Sequence, residues 1–395
     1  MAGVKLRRLA EEALDVRALV LDLLGTGSVD GEGRWPGAKA ASLPAWELFL
    51  RSERCAAPAA AALERAGRVQ ELAPEVQVLL AHRRRVESVR ALRARAQLAE
   101  LGAVAHERGW RVLVLKGGVP LIRESSGALD LADLDILVAE SQVPAVAAWL
   151  DERAARTGRY TSPRHVAARY VEGGVPVEIH HTTELSGSAT ADGVWDRAVP
   201  LPAGLFGLEP VEHAWFVLHH LTTTHYSRRG RIRDLLLLAD ALRACPRERW
   251  PDIARRVSAD RFAVPLRDGL AMAQALVHQA AIADRCRSVA FTRYVMHELV
   301  RRAGRGRSVL EAHQVVEWVF AFQAGREERR FLWERALVPS TGPSSYRFIG
   351  SVERLHPRLG LLWRRAARLV HRAAIRTLAW GIARWMAPVP PRRSP

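Results

Sequence analysis

The segment Leu113-Val-Leu-Lys-Gly-Gly-Val119, followed downstream by Asp133-Leu-Asp-Ile-Leu-Val138, decides the fold of this chain. The first segment opens with leucine and β-branched residues and is stopped by two glycines, which predicts a short buried strand. The second is apolar apart from its two aspartates, and its residues from Leu134 to Val138 predict another strand. Between them, Pro120 suits the first turn of a helix, so we expect a strand, a glycine turn, a helix and a strand.

More strand and helix signals follow these two segments. Residues 142–156 have the apolar spacing of an amphipathic helix. The runs Arg169-Tyr-Val-Glu172 and Val175-Pro-Val-Glu-Ile-His180 flank Gly173-Gly174, a pattern typical of a β-hairpin with a two-glycine turn. Strands that alternate with helices over so short a span predict a compact α/β unit at residues 111–185.

Helical spacing dominates the rest of the chain. We predict an N-terminal helical region (1–110, with a long helix at 83–108), a helical domain (186–337, with helices at 209–225, 232–244, 261–285 and 308–337), basic C-terminal helices (346–387) and a proline-rich tail (388–395). The predicted fold class is therefore α+β, with a small mixed β-sheet embedded in a mostly α-helical protein.

Composition narrows the class of protein. Of its 395 residues, 49% are hydrophobic and 26% are charged, which is the composition of a globular protein. This composition excludes a disordered or disulfide-scaffold protein, and the length suits two or three domains. Its formal charge of +17 comes from arginine, because only Lys5, Lys39 and Lys116 among 59 basic residues are lysine. Such a bias reflects genome composition as much as a binding surface. The positive charge therefore attracts phosphate-rich partners through a general electrostatic field and does not define a binding site.

Location is inferred from the cysteines and from the absence of sorting signals. Cys55, Cys245 and Cys286 are too far apart in sequence for a redox or zinc motif, which favours reduced thiols. We find no secretory leader and no uninterrupted apolar segment of membrane-spanning length. We therefore expect a cytoplasmic protein.

Three carboxylates stand in apolar strand contexts. Asp133 and Asp135 are two residues apart, so they point to the same face of their strand, and Glu178 lies between Val177 and Ile179. Carboxylates that repel one another are stabilised by a hard divalent cation with oxygen ligands. Their convergence at one end of a small sheet predicts a site for one or two Mg²⁺ or Mn²⁺ ions.

The turn Lys116-Gly117-Gly118 predicts a phosphate site beside these carboxylates. The backbone N–H groups at the start of a helix bind phosphate, and glycine permits its close approach. Lysine is rare in this chain, which favours a phosphate contact for Lys116; a side chain that merely extends to solvent at the strand end is the alternative. A metal site beside a phosphate turn indicates phosphoryl or nucleotidyl transfer.

The order of these motifs resembles the DNA polymerase β-type nucleotidyltransferase superfamily, and more narrowly the family known as uncharacterised nucleotidyltransferases. The resemblance extends from about Leu98 to Ala244, and the stretches that carry it are Leu115-Lys116-Gly117, Asp133 to Val138 and Val177 to His180. That family also tends to have a histidine in a following helix and an aspartate in the next; His219 or His220, and Asp234, are similar.

Two features depart from the family pattern. Residues 128–132 read Ala-Leu-Asp-Leu-Ala, so the arginine that commonly precedes the Asp-x-Asp pair is absent. The gap between Gly118 and Asp133 is also longer than in many members of the superfamily. Without this arginine, we expect weaker binding of the nucleotide.

The resemblance implies a nucleotidyltransferase core at residues 111–185. It implies a metal-dependent enzyme that moves a nucleoside monophosphate group from an NTP to a hydroxyl or phosphate acceptor, which is a small molecule, a peptide, a protein or an RNA. The implied catalytic and metal-binding residues are Asp133, Asp135 and Glu178, with Glu178 as the candidate base, and the implied cofactor-binding residues are Lys116, Gly117, Gly118 and His180. The alternative is a catalytically decayed protein of the same fold that binds RNA, peptide or protein through its basic surface.

Other histidines and the C-terminal helix have two interpretations each. His213, His219, His220 and His225 fall in one helical region; zinc ligation by His213 and His220 is one interpretation, and core or supporting histidines around an acidic site are favoured. The partner of His180, whether metal, nucleotide or carboxylate, stays open.

The basic amphipathic stretch at 359–386 suggests weak membrane-surface or nucleic-acid contact, although a helix packed on the body with a solvated arginine face is preferred.

Overall fold

In the computed structural model, the described residues before the first strand are mostly helical. The helices run over Ala2–Gly25 (α1), Arg34–Ala40 (α2), Leu43–Glu53 (α3), Ala56–Arg65 (α4) and Pro74–Arg108 (α5). Helix α1 packs against α2, α3 and α4, and α4 packs against α5. The helix predicted at 83–108 is the C-terminal part of α5.

The structure describes only part of the chain. The described residues are 2–27, 34–123, 130–131, 133–153, 165–170, 174–180, 191–224, 229–260, 262–302, 319, 377 and 379–383. His225, the linker at 338–345, the tail, and most of the helices predicted at 308–337 and 346–387 lie outside the described residues. Among those that are described, no helix is long and apolar enough to cross a membrane.

A mixed sheet of six strands forms the centre of the fold. The strands are Val112–Val114 (β1), Leu134–Val138 (β2), His165–Tyr170 (β3), Pro176–His180 (β4), Val199–Pro200 (β5) and Phe206–Gly207 (β6), in the spatial order β3-β4-β2-β1-β6-β5. Strand β2 pairs antiparallel with β1 and parallel with β4. Strand β3 pairs antiparallel with β4, as the predicted hairpin requires, but β3 begins at His165 and not at Arg169, and residues 171–173 lie outside the described residues. The sheet confirms the predicted α+β class, and β5 and β6 extend it beyond the predicted unit.

Alternation along the strands places the polar site residues on one face of the sheet and a set of apolar core residues on the other. The residues that pack with α5, α6 and α7 are the alternate apolar positions of three strands: Val112, Val114, Leu134, Ile136, Val138, Val177 and Ile179. Because successive strand residues point to opposite faces, Asp135, Glu178 and His180 share the other face. The hydrophobic core therefore fixes the register that brings these polar residues together.

Further helices follow the strands as far as residue 302. They span Gly118–Arg123 (α6), Val143–Arg153 (α7), Ala191–Asp196 (α8), Pro210–His219 (α9), Ile232–Ala244 (α10), Trp250–Ala259 (α11), Ala263–Val277 (α12) and Arg287–Arg302 (α13). Helix α10 has its predicted bounds. The helix predicted at 261–285 is shorter, because the chain turns at Gln279, whose φ of 49° is not helical.

The start of α10 is fixed by a buried carboxylate from α3. Glu53 Oε2 accepts a hydrogen bond from the backbone N–H of Ile232 at 2.7 Å, which satisfies a donor at the helix N-terminus. Glu53 Oε1 also lies 3.5 Å from Arg17 Nε, and both side chains are fully buried. The N-terminal helices thus set the position of the first turn of α10.

The chain divides into two compact units, Met1–Ala290 and Phe291–Pro395. The whole sheet and the helices from α1 to α12 belong to the first unit. In the second, Glu298 pairs with Arg301 and Arg302 one turn further along α13. The domain boundaries predicted from the sequence stay a prediction.

Candidate functional site

The turn after β1 has an unusual backbone at Lys116. Its φ of 48° lies in the left-handed region, which is costly for a residue other than glycine. The N–H of Gly118 donates to the carbonyl of Leu115 at 3.1 Å, and the N–H of Val119 donates to the carbonyl of Lys116 at 3.3 Å. These two bonds close the turn and start α6.

Packing requires the two glycines of this turn. A Cβ on Gly118 would lie 2.5 Å from Cγ1 of Val114, and a Cβ on Gly117 would lie 2.4 Å from Cδ2 of Leu131. Both distances are shorter than van der Waals contact, so a larger residue forces its neighbour to move. The positive φ of the turn falls on Lys116 and not on Gly118, so the glycines are explained by helix–strand packing even without a bound phosphate.

A compact polar cluster lies on the face of the sheet opposite α5. The register places Asp135 of β2 beside Glu178 of β4. Ligand atoms of Asp135, Glu178 and His180 all lie within 4.8 Å of one another. His180 Nε2 is 2.9 Å from Asp135 Oδ1 and 3.9 Å from Glu178 Oε2. The ammonium of Lys116 is 2.7 Å from the same Oδ1, so Lys116 and His180 meet at the carboxylate of Asp135, with Glu178 beside them.

Asp133 stands at the edge of this cluster. It is half-buried, directly before β2, and is not part of the group whose ligand atoms lie within 4.8 Å. Its charge nevertheless acts on Glu178, as described next. The structure therefore brings Asp135, Glu178 and His180 closest together, with Asp133 beside them.

The carboxylates of the cluster have opposite electrostatic environments. Burial alone would raise the pKa of Asp135, but the charge of Lys116 and the hydrogen bond from His180 outweigh burial and hold that pKa far below its usual range. For Glu178, burial and the negative charges of Asp135 and Asp133 raise the pKa to about 7. The two neighbouring carboxylates thus differ in the ease with which they take a proton.

The donor set fits a divalent cation. Two carboxylates suit Mg²⁺ or Mn²⁺, and an imidazole is an accepted ligand of Mn²⁺ and of later transition metals. Lys116 already neutralises Asp135 through Oδ1, the same oxygen that His180 contacts. A cation at Asp135 therefore competes with the Lys116 ammonium for that oxygen.

His213 supports the turn from α9. Its side chain is buried and makes a hydrogen bond to the backbone of Lys116. Burial, followed by the charge of Arg123, lowers the pKa of His213 to about 4, so the ring is neutral at physiological pH. Within the described part of the chain its Nε2 has no hydrogen-bond partner. These contacts agree with the supporting interpretation of this histidine, whereas His220 packs its ring against Phe216.

Charged residues from distant helices reach the same region. Arg54, at the end of α3, donates from Nε to Oδ2 of Asp130 at 2.6 Å, and Arg90 of α5 donates to Oδ1 at 2.5 Å. Burial would lower the pKa of Arg54, but Asp130, with the further charges of Asp234 and Asp133, raises it. Arg54 therefore lies near all three aspartates. Sequence spacing around the Asp-x-Asp pair does not reveal such contacts, because tertiary packing creates them.

Comparison with known protein families finds a match over the central part of the chain. The sequence model of a family described as uncharacterised nucleotidyltransferase matches residues 46–278, more than half of the chain. The matched region includes every strand of the sheet and runs from α3 to the end of α12. No curated protein and no solved structure matches the chain.

Proposed function

Since the chain belongs to the family of uncharacterised nucleotidyltransferases, we propose that it is a metal-dependent enzyme that transfers a nucleoside monophosphate group from an NTP to a hydroxyl or phosphate group of an acceptor. The observation that supports this most is the cluster of Lys116, Asp135, Glu178 and His180 beside a turn at the start of a helix. Phosphoryl transfer uses carboxylates that hold a metal ion beside a group that binds phosphate.

The proposed metal ligands are Asp133, Asp135 and Glu178, and we propose His180 as a further ligand because its ring nitrogen lies within 4.8 Å of ligand atoms of Asp135 and Glu178. A bound Mg²⁺ or Mn²⁺ ion neutralises phosphate charge and lowers the pKa of an attacking hydroxyl. His180 donates from Nε2 to Asp135 Oδ1 and so fixes the orientation of that carboxylate. Asp135 is the buried centre of the set, with 5% of its side chain exposed.

Glu178 is the proposed base for the acceptor. Its side chain is 29% exposed, against 5% for Asp135, so an incoming hydroxyl reaches Glu178 more readily. Asp135 is also engaged by Lys116 and His180. A carboxylate at the open side of the cluster is therefore the group placed to take a proton from the acceptor.

The turn Lys116-Gly117-Gly118 is the proposed phosphate site. It lies at the start of the six-residue helix α6, and the ammonium of Lys116 supplies its positive charge, because the N–H groups of Gly118 and Val119 already close the turn. We propose a cytoplasmic location because Cys55, Cys245 and Cys286 are all buried free thiols. The acceptor stays open among a small molecule, a peptide, a protein and an RNA.

Calorimetric titration with NTP in the presence and absence of Mg²⁺ tests this function. We expect the parent protein to bind NTP with Mg²⁺, and the variant carrying both Asp133→Asn and Asp135→Asn to lose Mn²⁺ and Mg²⁺–NTP binding while it stays folded. The matched control is Glu140→Gln, an exposed carboxylate just after β2, which should bind as the parent does. A parent that binds no NTP would support the decayed binding protein instead. Incubation with labelled NTP and a cell extract then identifies the acceptor.

A further inference from the structure

A buried arginine in the first turn of α10 lacks a close partner. Arg233 is only 8% exposed, and its Nε has no hydrogen-bond partner among the described residues. The carboxylate paired with it is Asp234, whose Oδ1 is 3.7 Å from Arg233 Nη1, beyond hydrogen-bond length. Asp234 is 4% exposed, and in the described part of the chain neither of its oxygens has a hydrogen-bond partner.

Other arginines near the site differ from Arg233 in this respect. Arg54 and Arg90 are both held by Asp130 at 2.6 and 2.5 Å. A buried guanidinium is costly unless it is paired and hydrogen-bonded, so the loosely paired Arg233 calls for an anion.

The position of Arg233 indicates which anion it takes. Its Nη2 lies 3.9 Å from the point that a Cβ on Gly117 would occupy, so the guanidinium is next to the proposed phosphate turn. The hydrogen bond from Ile232 N–H to Glu53 fixes the helix start that carries it. A planar guanidinium at this place matches the oxygens of a phosphate group.

We infer that Arg233 binds the triphosphate of the NTP at the Lys116-Gly117-Gly118 turn. Asp234 is a positioning residue that holds the guanidinium toward the turn. This inference rests on the proposed function, because it needs an NTP in the site.

Affinity for Mg²⁺–triphosphate, the inorganic compound, and for Mg²⁺–NTP tests the inference. We expect Arg233→Gln to weaken both by roughly 10- to 100-fold, the range of a charge-assisted contact, with Mn²⁺ binding in the absence of nucleotide unchanged. The matched control is Arg243→Gln, an exposed arginine at the other end of α10, which should keep the parent affinities. A thermal melt confirms that each variant is folded.

Two further variants separate binding from structure. Arg233→Lys keeps the buried charge, so it should fold if Arg233→Gln does not, and should show an intermediate loss of affinity. Asp234→Asn should weaken triphosphate binding in the parent and add nothing in the Arg233→Gln background, because it acts through the arginine. A folded Arg233→Gln or Arg233→Lys protein that binds triphosphate like the parent overturns the inference and leaves the proposed function standing. A parent that binds no NTP overturns both.

Discussion

At the scale of single residues, Lys116 connects the two halves of the candidate site. Its backbone closes the glycine turn and is held by His213, while its ammonium reaches Asp135 on the next strand. Its φ of 48° lies in the left-handed region, which is unfavourable in free energy for a residue other than glycine. The sequence indicated a phosphate contact for this lysine, and the structure adds the contact with Asp135.

Replacement of Lys116 by alanine should change metal and nucleotide affinity in opposite directions. Without the ammonium, Asp135 Oδ1 loses a competing cation, so the affinity for Mn²⁺ alone should rise about tenfold, or about 1.4 kcal/mol. The affinity for Mg²⁺–NTP should fall by about 1–3 kcal/mol if Lys116 contacts a phosphate. Calorimetric titrations of the same preparation with each ligand measure both, and a fall in both affinities would contradict the competition.

Replacement of Gly118 by alanine should lower stability through packing. The new Cβ would meet Val114 Cγ1 at 2.5 Å, and overpacking of this kind costs about 1–3 kcal/mol in unfolding free energy. In a Val114→Ala background the cost should shrink, because the clashing methyl is gone. Urea denaturation of the parent, both single variants and the double variant measures this coupling; strictly additive effects would disprove the packing explanation.

Among the helices and strands, those with a clear local pattern of apolar residues could be predicted from the sequence. Strand β2 and helix α10 have their predicted bounds, because uniform apolar patterns with clear ends specify them. Strands β5 and β6 could not be predicted, since two residues show no alternation. The meeting of Asp135, Glu178 and His180 followed from strand alternation, whereas Arg233 reaches the turn only through helix packing that has no local signature.

The contact between α4 and α5 should make stability depend on pH. Glu87 of α5 accepts hydrogen bonds from the backbone N–H groups of Ala56 and Ala57 at the start of α4. Burial raises the pKa of Glu87 from its usual 4.5 to about 7 despite these bonds. The folded state therefore keeps a proton that the unfolded state loses between these two values. The stabilisation is full below the lower value and is lost as pH rises through the upper one.

Glu87→Gln should remove this part of the pH dependence. The parent should lose about 3 kcal/mol of unfolding free energy from this group between about pH 5 and about pH 8, and the variant should lack that decline. Glu75→Gln, at an exposed position near the start of the same helix, is the matched control and should retain the decline. Urea denaturation at both pH values measures the difference; a parallel decline in the parent and in Glu87→Gln would refute the assignment.

At the scale of the whole molecule, the N-terminal helices take part in building the site. They contribute Glu53, which holds the start of α10, and Arg54, which lies near Asp133. The family match begins at residue 46 and so includes most of α3 but none of α1. Helix α1 supplies Arg17, which shares the buried carboxylate of Glu53 and also pairs with Asp284. The sheet and the helices from α1 to α12 are therefore one structural unit.

Loss of Glu53 should test this coupling between the helices and the site. Glu53→Ala leaves the guanidinium of Arg17 with one carboxylate fewer and removes the acceptor of Ile232 N–H, so unfolding free energy should fall by about 3–5 kcal/mol. Glu64→Ala breaks only the exposed pair with Arg84 and should cost less than about 1 kcal/mol. Because Glu53 holds the turn that carries Arg233, the folded fraction of Glu53→Ala should also bind Mg²⁺–NTP more weakly than Glu64→Ala does. If Glu53→Ala unfolds no more easily than Glu64→Ala and binds NTP as the parent does, the N-terminal helices do not position the site, and Arg233 owes its place to α10 and its other neighbours alone.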